Sequence, residues 1–113
     1  MRNRDIINSK RIVNSILNYM MERGVEDINF RLKVTDEVLT IIAEGKTSKK
    51  PKDLDRLNAL MNDKRTSITE EYYSALLGYS DNVNDIDLLG SMLDEGAISY
   101  DGELLSFFAT RKI

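Results

Sequence analysis

Asp87-Leu-Leu-Gly-Ser-Met-Leu-Asp-Glu-Gly-Ala-Ile-Ser-Tyr-Asp-Gly-Glu-Leu-Leu-Ser-Phe-Phe-Ala-Thr110 changes its hydrophobic period part-way along. Ile86, Leu89, Met92 and Leu93 recur at helical spacing from a start at Asn84 or Asp85, and Gly96 is placed to stop that helix. Ile98-Ser-Tyr100, the turn pair Asp101-Gly102 and Leu104 to Thr110 then read as a β-hairpin. Phe107 and Phe108 are neighbours on one strand and must point to opposite faces. One belongs to the core. The other is covered by a helix, by a partner chain or by nothing, and a dimer contact is the expectation.

Upstream the same order appears. Ile6, Val13, Ile16, Leu17, Met20 and Met21 predict an amphipathic helix from Ile6 to Arg23, closed by Gly24. Asn14, Asn18 and Glu22 lie on an adjoining face. Ile28, Phe30, Leu32 and Val34 alternate with Asn29, Arg31 and Lys33, the period of a strand with one buried side. Thr35-Asp36-Glu37 makes a turn. Val38 to Glu44 is more continuously apolar and reads as an inner strand. The first hairpin thus spans Asp27 to Glu44.

Between the two hairpins, Gly45 to Lys52 is a loop with four lysines and the chain's only proline. Asp53 is placed to cap a short helix carrying Leu54, Leu57, Leu60 and Met61. Ser67-Ile-Thr-Glu70 fits a capping box ahead of Ile68, Tyr72, Ala75 and Leu76, and 78–84 is a loop of turn-forming residues. The expectation is a single α+β domain over 1–113. It is a two-layer sandwich, with a mostly antiparallel or mixed sheet covered by helices on one face.

The chemistry open to this chain is narrow. With no cysteine and no histidine, disulfides, thiolate sites, imidazole ligands and a histidine base or nucleophile are all excluded. Only a carboxylate-based site for a hard cation such as magnesium is left. A net charge of −3 argues against general nucleic-acid binding. No apolar run approaches the ~20 residues of a membrane span, and Met1-Arg-Asn-Arg-Asp5 is not followed by the apolar stretch of a signal peptide. A cytoplasmic location is the expectation.

The order helix, hairpin, lysine-rich loop, helix, hairpin resembles the GHKL ATPase domain. That family includes the catalytic domains of sensor histidine kinases and the anti-sigma-factor kinases. The likeness is carried by Leu88-Leu-Gly-Ser-Met-Leu-Asp-Glu95, Ile98-Ser-Tyr-Asp-Gly-Glu103 and Leu105-Ser-Phe-Phe-Ala109, together with Ser15-Ile-Leu-Asn18 on the first helix. It covers nearly the whole chain as a pattern of elements rather than as strict motifs.

The resemblance implies that Asn18 matches a magnesium-coordinating asparagine, while Asn14 falls where the family places an acidic base. Glu44 stands near the family's adenine-reading aspartate, with Gly45 after it, but the next glycine of that motif is missing. In the third motif Asp85 and Asp87 put negative charge where phosphates should sit, and Gly90 lies inside the helix. Asn14, Asn18, Glu44, Gly45 and Gly90 are therefore the candidate nucleotide-binding residues, Asn18 the sole candidate metal ligand, and no catalytic residue is assigned.

Each of these residues also has a plainer reading. Asn14 and Asn18 suit a solvated helix face. Lys46, Lys49, Lys50 and Lys52 suit a charged loop, or contact phosphate or an acidic partner. Tyr72, Tyr73 and Tyr79 suit the edge of a core or a partner-facing patch. The leading expectation is a degenerate GHKL-type domain without a cofactor. It would act as a non-catalytic regulatory module in bacterial signalling, through an unidentified protein partner or as a homodimer. The alternatives are a working Mg-ATP-binding domain of anti-sigma or sensor-kinase type, and a small nucleic-acid adaptor using the lysine loop and Arg111-Lys112.

Overall fold

The computed structural model describes residues 2–62, 89–90 and 92–113. The predicted helix after Ser67, the three tyrosines at 72, 73 and 79, and the aspartates at 85 and 87 lie outside the described residues. Helix α1 (Asn3–Glu22) opens with Asp5 in its first turn, where a carboxylate offsets unpaired amides. It closes through Gly24 at φ +68, with the amides of Gly24 and Val25 donating back to the carbonyls of Met21 and Met20.

The face of α1 that meets the sheet differs from the predicted one. Ile12, Ile16, Tyr19 and Met20 are buried, together with Asp5, Asn8, Ser9 and Ser15, while Ile6 and Met21 are exposed. At about 100° per residue, Ile6 and Val13 sit a quarter-turn round the helix from the buried stripe. The helix therefore has two apolar arcs, and the one interrupted by polar residues was chosen for the core. Arg111 makes this possible. It reaches from the end of the last strand and donates to the Asp5 carboxylate at 3.0 and 3.3 Å and to the Met92 carbonyl at 3.0 Å.

Strands β1 (Glu26–Val34) and β2 (Val38–Lys46) form the first hairpin. Its turn is held by Thr35, whose hydroxyl accepts from the amides of Glu37 and Val38. Helix α2 (Leu54–Met61) buries Leu57 and Met61. Strands β3 (Glu95–Tyr100) and β4 (Leu104–Lys112) form the second hairpin. Gly96 lies within β3 and does not end a helix as predicted. A Cβ there would come within 2.9 Å of the Met61 side chain, so the glycine lets β3 pass close to α2. At the second turn the Asp101 side chain accepts from the amides of Glu103 and Leu104, and Gly102 takes φ +103. Those two amide bonds hold the Asp101 carboxyl below its usual range.

The sheet has four strands in the order β1-β2-β4-β3, every pair antiparallel. This is a small α+β domain, and β2 is an inner strand as its apolar run predicted. Leu39, Ile41 and Ala43 of β2 and Leu105, Phe107 and Ala109 of β4 pack under α1. Phe107 meets Tyr19 edge-on at 5.5 Å. Phe108 turns to the opposite face and is 40% exposed. Among the described residues, no helix is long and apolar enough to cross a membrane.

Candidate functional site

A sheet of this kind has two edges, and the chain treats them differently. Along β3, α2 presents Asn58 and Asn62, four residues apart and so on one helix face. The Asn58 amide donates to the Ile98 carbonyl and accepts from the Ile98 N–H, both at 2.8 Å. Asn62 does the same with Gly96, at 2.8 and 3.3 Å. Two side-chain amides thus stand where a neighbouring strand's backbone would stand. Gly96 and Ile98 are the alternate residues whose backbone points off the sheet, and both have been satisfied.

Along β1 no described strand or helix does this. Leu32 and Val34 are 49% and 53% exposed there, although they lie on the same side of the strand as the partly buried Ile28 and Phe30. Beside them runs an open apolar groove of about 450 Å³, lined by Ile6, Val13 and Leu32 with Ser9, Lys10 and Asn14. The groove exists because α1 turned its other arc to the core. Ile6 was left exposed and Val13 only half-buried above β1. An apolar groove next to an uncapped strand edge is the geometry that accepts an extended segment, with backbone hydrogen bonds giving affinity and the groove taking side chains.

A second polar assembly sits at the other end of α1. The Tyr19 hydroxyl donates to Asp53 at 2.8 Å, and Arg23 and Arg56 each reach the same carboxylate at 3.3 Å. The Arg23 guanidinium lies over the Tyr19 ring, 3.5 Å from its centroid. Burial pushes the Tyr19 phenol well above its usual range, and its bond to Asp53 adds to that. Burial also works to raise Asp53, but the Tyr19 hydroxyl and the Arg23 charge outweigh it and hold the carboxyl below 3.8. Asp53 makes no side-chain cap to α2 as predicted, because its oxygens are spent on this cluster. Two shallow clefts flank it, sharing Arg23 and Lys49 and lined further by Lys46, Lys50 and Lys52. Glu22, Glu26 and Glu103 line them too, so the surface carries both signs of charge.

The candidate nucleotide residues fall as follows. Asn14 and Asn18 are exposed on α1, Asn14 at the rim of the apolar groove. Glu44 is exposed and alternates with the buried Ala43 and Gly45, so it projects from the sheet face opposite α1. The structure does not bring Glu44 together with Asn14 and Asn18. A Cβ on Gly45 would come within 2.3 Å of Val25 and 2.9 Å of Met20, so its missing side chain makes room for the end of α1. A Cβ on Gly90 would lie 1.6 Å from the Leu60 carbonyl oxygen, so Gly90 serves contact with α2. Among the described residues there is no group of three or more acidic side chains able to hold a metal ion.

Sequence reasoning did not single out Asn58 and Asn62. Their spacing on an amphipathic helix was the available signal. The β1 edge was visible as a strand, but its edge position depends on the pairing of β2 with β4, which no local pattern encodes. Comparison of the chain with protein-family models, with curated proteins and with solved structures gives no match.

Proposed function

We propose that the chain is a non-catalytic protein-binding module that engages its partner through the edge of β1, uncapped among the described residues, and the apolar groove beside it. The observation that carries this reading is the contrast between the two edges. β3 is closed by a pair of amides, while among the described residues nothing covers Leu32 and Val34 of β1 or the nearby Ile6 of α1, and all three are exposed at a cost that an interaction would recover. A descent from a GHKL-type domain fits the order α1, β1, β2, α2, β3, β4. The loss of its nucleotide function fits the separation of Glu44 from the asparagines of α1. No step of chemistry is assigned to any residue.

Photo-crosslinking in cells tests the reading. A photoreactive side chain at position 32 is expected to give a crosslinked adduct, and the same group at position 44, on the opposite sheet face, is expected to give none. Equal labelling from both positions, or none from position 32, would overturn it. Calorimetry with magnesium and ATP tests the nucleotide alternative. Binding that is lost in Asn18→Ala would replace this reading with a Mg-ATP-binding one.

A further inference from the structure

The edge of β1 carries a sequence that complements itself. Its first half holds Glu26 and Asp27, its second half Arg31 and Lys33. Two copies of such a strand laid antiparallel bring the acidic half of each against the basic half of the other. A parallel arrangement would put like against like. Opposite charges directly across an antiparallel pair stabilise it, and like charges there destabilise it.

The charges also narrow the register. A two-fold axis through Phe30 places Asp27 against the partner's Lys33 and Asn29 against the partner's Arg31. On the other side of the strand, Ile28 meets the partner's Leu32, and the two Phe30 rings meet each other. Shifting the axis to Arg31 sets two Arg31 side chains face to face. Shifting it to Leu32 sets Arg31 against Lys33 twice over. The register on Phe30 pairs charge with opposite charge and the apolar row with itself.

The bend in β1 bears on how long this ladder can be. The pairing with β2 slips between Glu26 and Asn29, and Asp27 takes φ 51, so the strand is irregular at its start. A backbone ladder centred on Phe30 is therefore short and ends where the bulge begins. Beyond that point the Asp27 carboxylate reaches across as a side chain, and it is free to do so because it is 74% exposed and its contact with Lys46 is 4.0 Å long. Apolar area supplies the rest, since the groove of Ile6, Val13 and Leu32 borders this row. The two α1 helices would lie on the same side of one continuous sheet, each closing the groove of the other.

We infer that the occupant of the β1 edge is a second copy of this chain, paired antiparallel about Phe30 with Asp27 facing Lys33 across the interface. The inference rests on the reading of β1 as the docking edge and names its partner.

A charge exchange tests it. Reversing either member of the charge pair, as Asp27→Lys or Lys33→Asp, sets like charges together twice per dimer. Each variant alone is expected to weaken self-association by at least about tenfold, read by sedimentation against the native chain. An equimolar mixture of the two is expected to dimerise again, because both contacts are then between opposite charges. Position 27 has a left-handed backbone, so Asp27→Asn, which removes the charge at a position asparagine tolerates, serves as a control for folding at that site, with circular dichroism on every variant. A monomeric native chain at the highest attainable concentration, or variants that dimerise as well as the native chain, overturns the inference.

The mass of the adduct from the photoreactive group at position 32 separates the two layers of argument. An adduct of twice the chain mass supports the dimer. An adduct of any other mass overturns the dimer while leaving β1 as the docking edge. No adduct overturns both.

Discussion

Arg111 and Asp5 are 106 positions apart and nearly enclosed, the arginine side chain 2% exposed. Removing one member strands the other without water. Arg111→Met should therefore lower stability by about 3–5 kcal/mol, seen as a shift of the urea midpoint. Replacing both, with Asp5→Leu added, should recover most of that loss. Asp53 gives a second prediction at this scale. Its carboxyl is held below 3.8 in the folded chain, so the unfolded chain binds the proton first as pH falls. Its contribution is then complete above about pH 4 and drains away below it. Asp53→Asn should cost about 1–3 kcal/mol at pH 7, and denaturation curves of the two chains should draw together as pH falls below about 4. The Tyr19 phenol runs the other way. Raised in the folded state, it supports the fold below its ordinary 10.0 and works against it as pH climbs past that value.

At the scale of elements, the alternation from Ile28 to Val34 and the apolar run from Val38 onward were enough to place β1 and β2. Asp101-Gly102 placed the second hairpin. What local pattern missed was the orientation of α1. Asp5, Ser9 and Ser15 argue against burial for any reader of periodicity, and only the arrival of Arg111 at Asp5 makes that face usable. The candidate site was half legible for a related reason. Its residues were visible, yet an edge is a property of strand order. The glycines give a test of how elements pack. Gly90→Ala would drive a Cβ into the backbone carbonyl of Leu60, whereas Gly45→Ala would meet the side chains of Val25 and Met20, the latter at its flexible end. Gly90→Ala should be the more damaging, by about 1–3 kcal/mol or more. Equal thermal midpoints for the two variants would contradict the contact of Gly90 with α2.

For the whole molecule, one sheet face is covered by α1 while the other carries Phe108 and Ile42 among polar and small residues. Among the described residues the domain therefore has a clear inside, one open face and one open edge. Asn58→Ala leaves the N–H and carbonyl of Ile98 without their partners, and a loss of about 1–3 kcal/mol is expected. Faster amide exchange at Ile98 than at Ser99 in that variant would place the damage on the outward side of β3.

If β1 pairs with a second copy as proposed, the paired amides of Asn58 and Asn62 also decide how growth ends. A sheet with one adhesive side and one sealed side can join a single neighbour and then has nothing left to offer, so its assemblies are finite. With both sides adhesive, each added copy exposes a fresh template and the product is a filament. Asn58→Ala with Asn62→Ala should turn a chain that stops at small assemblies into one that scatters light progressively with concentration and time. On that view α2 acts as a terminator, and its asparagines set the size of what this protein can build.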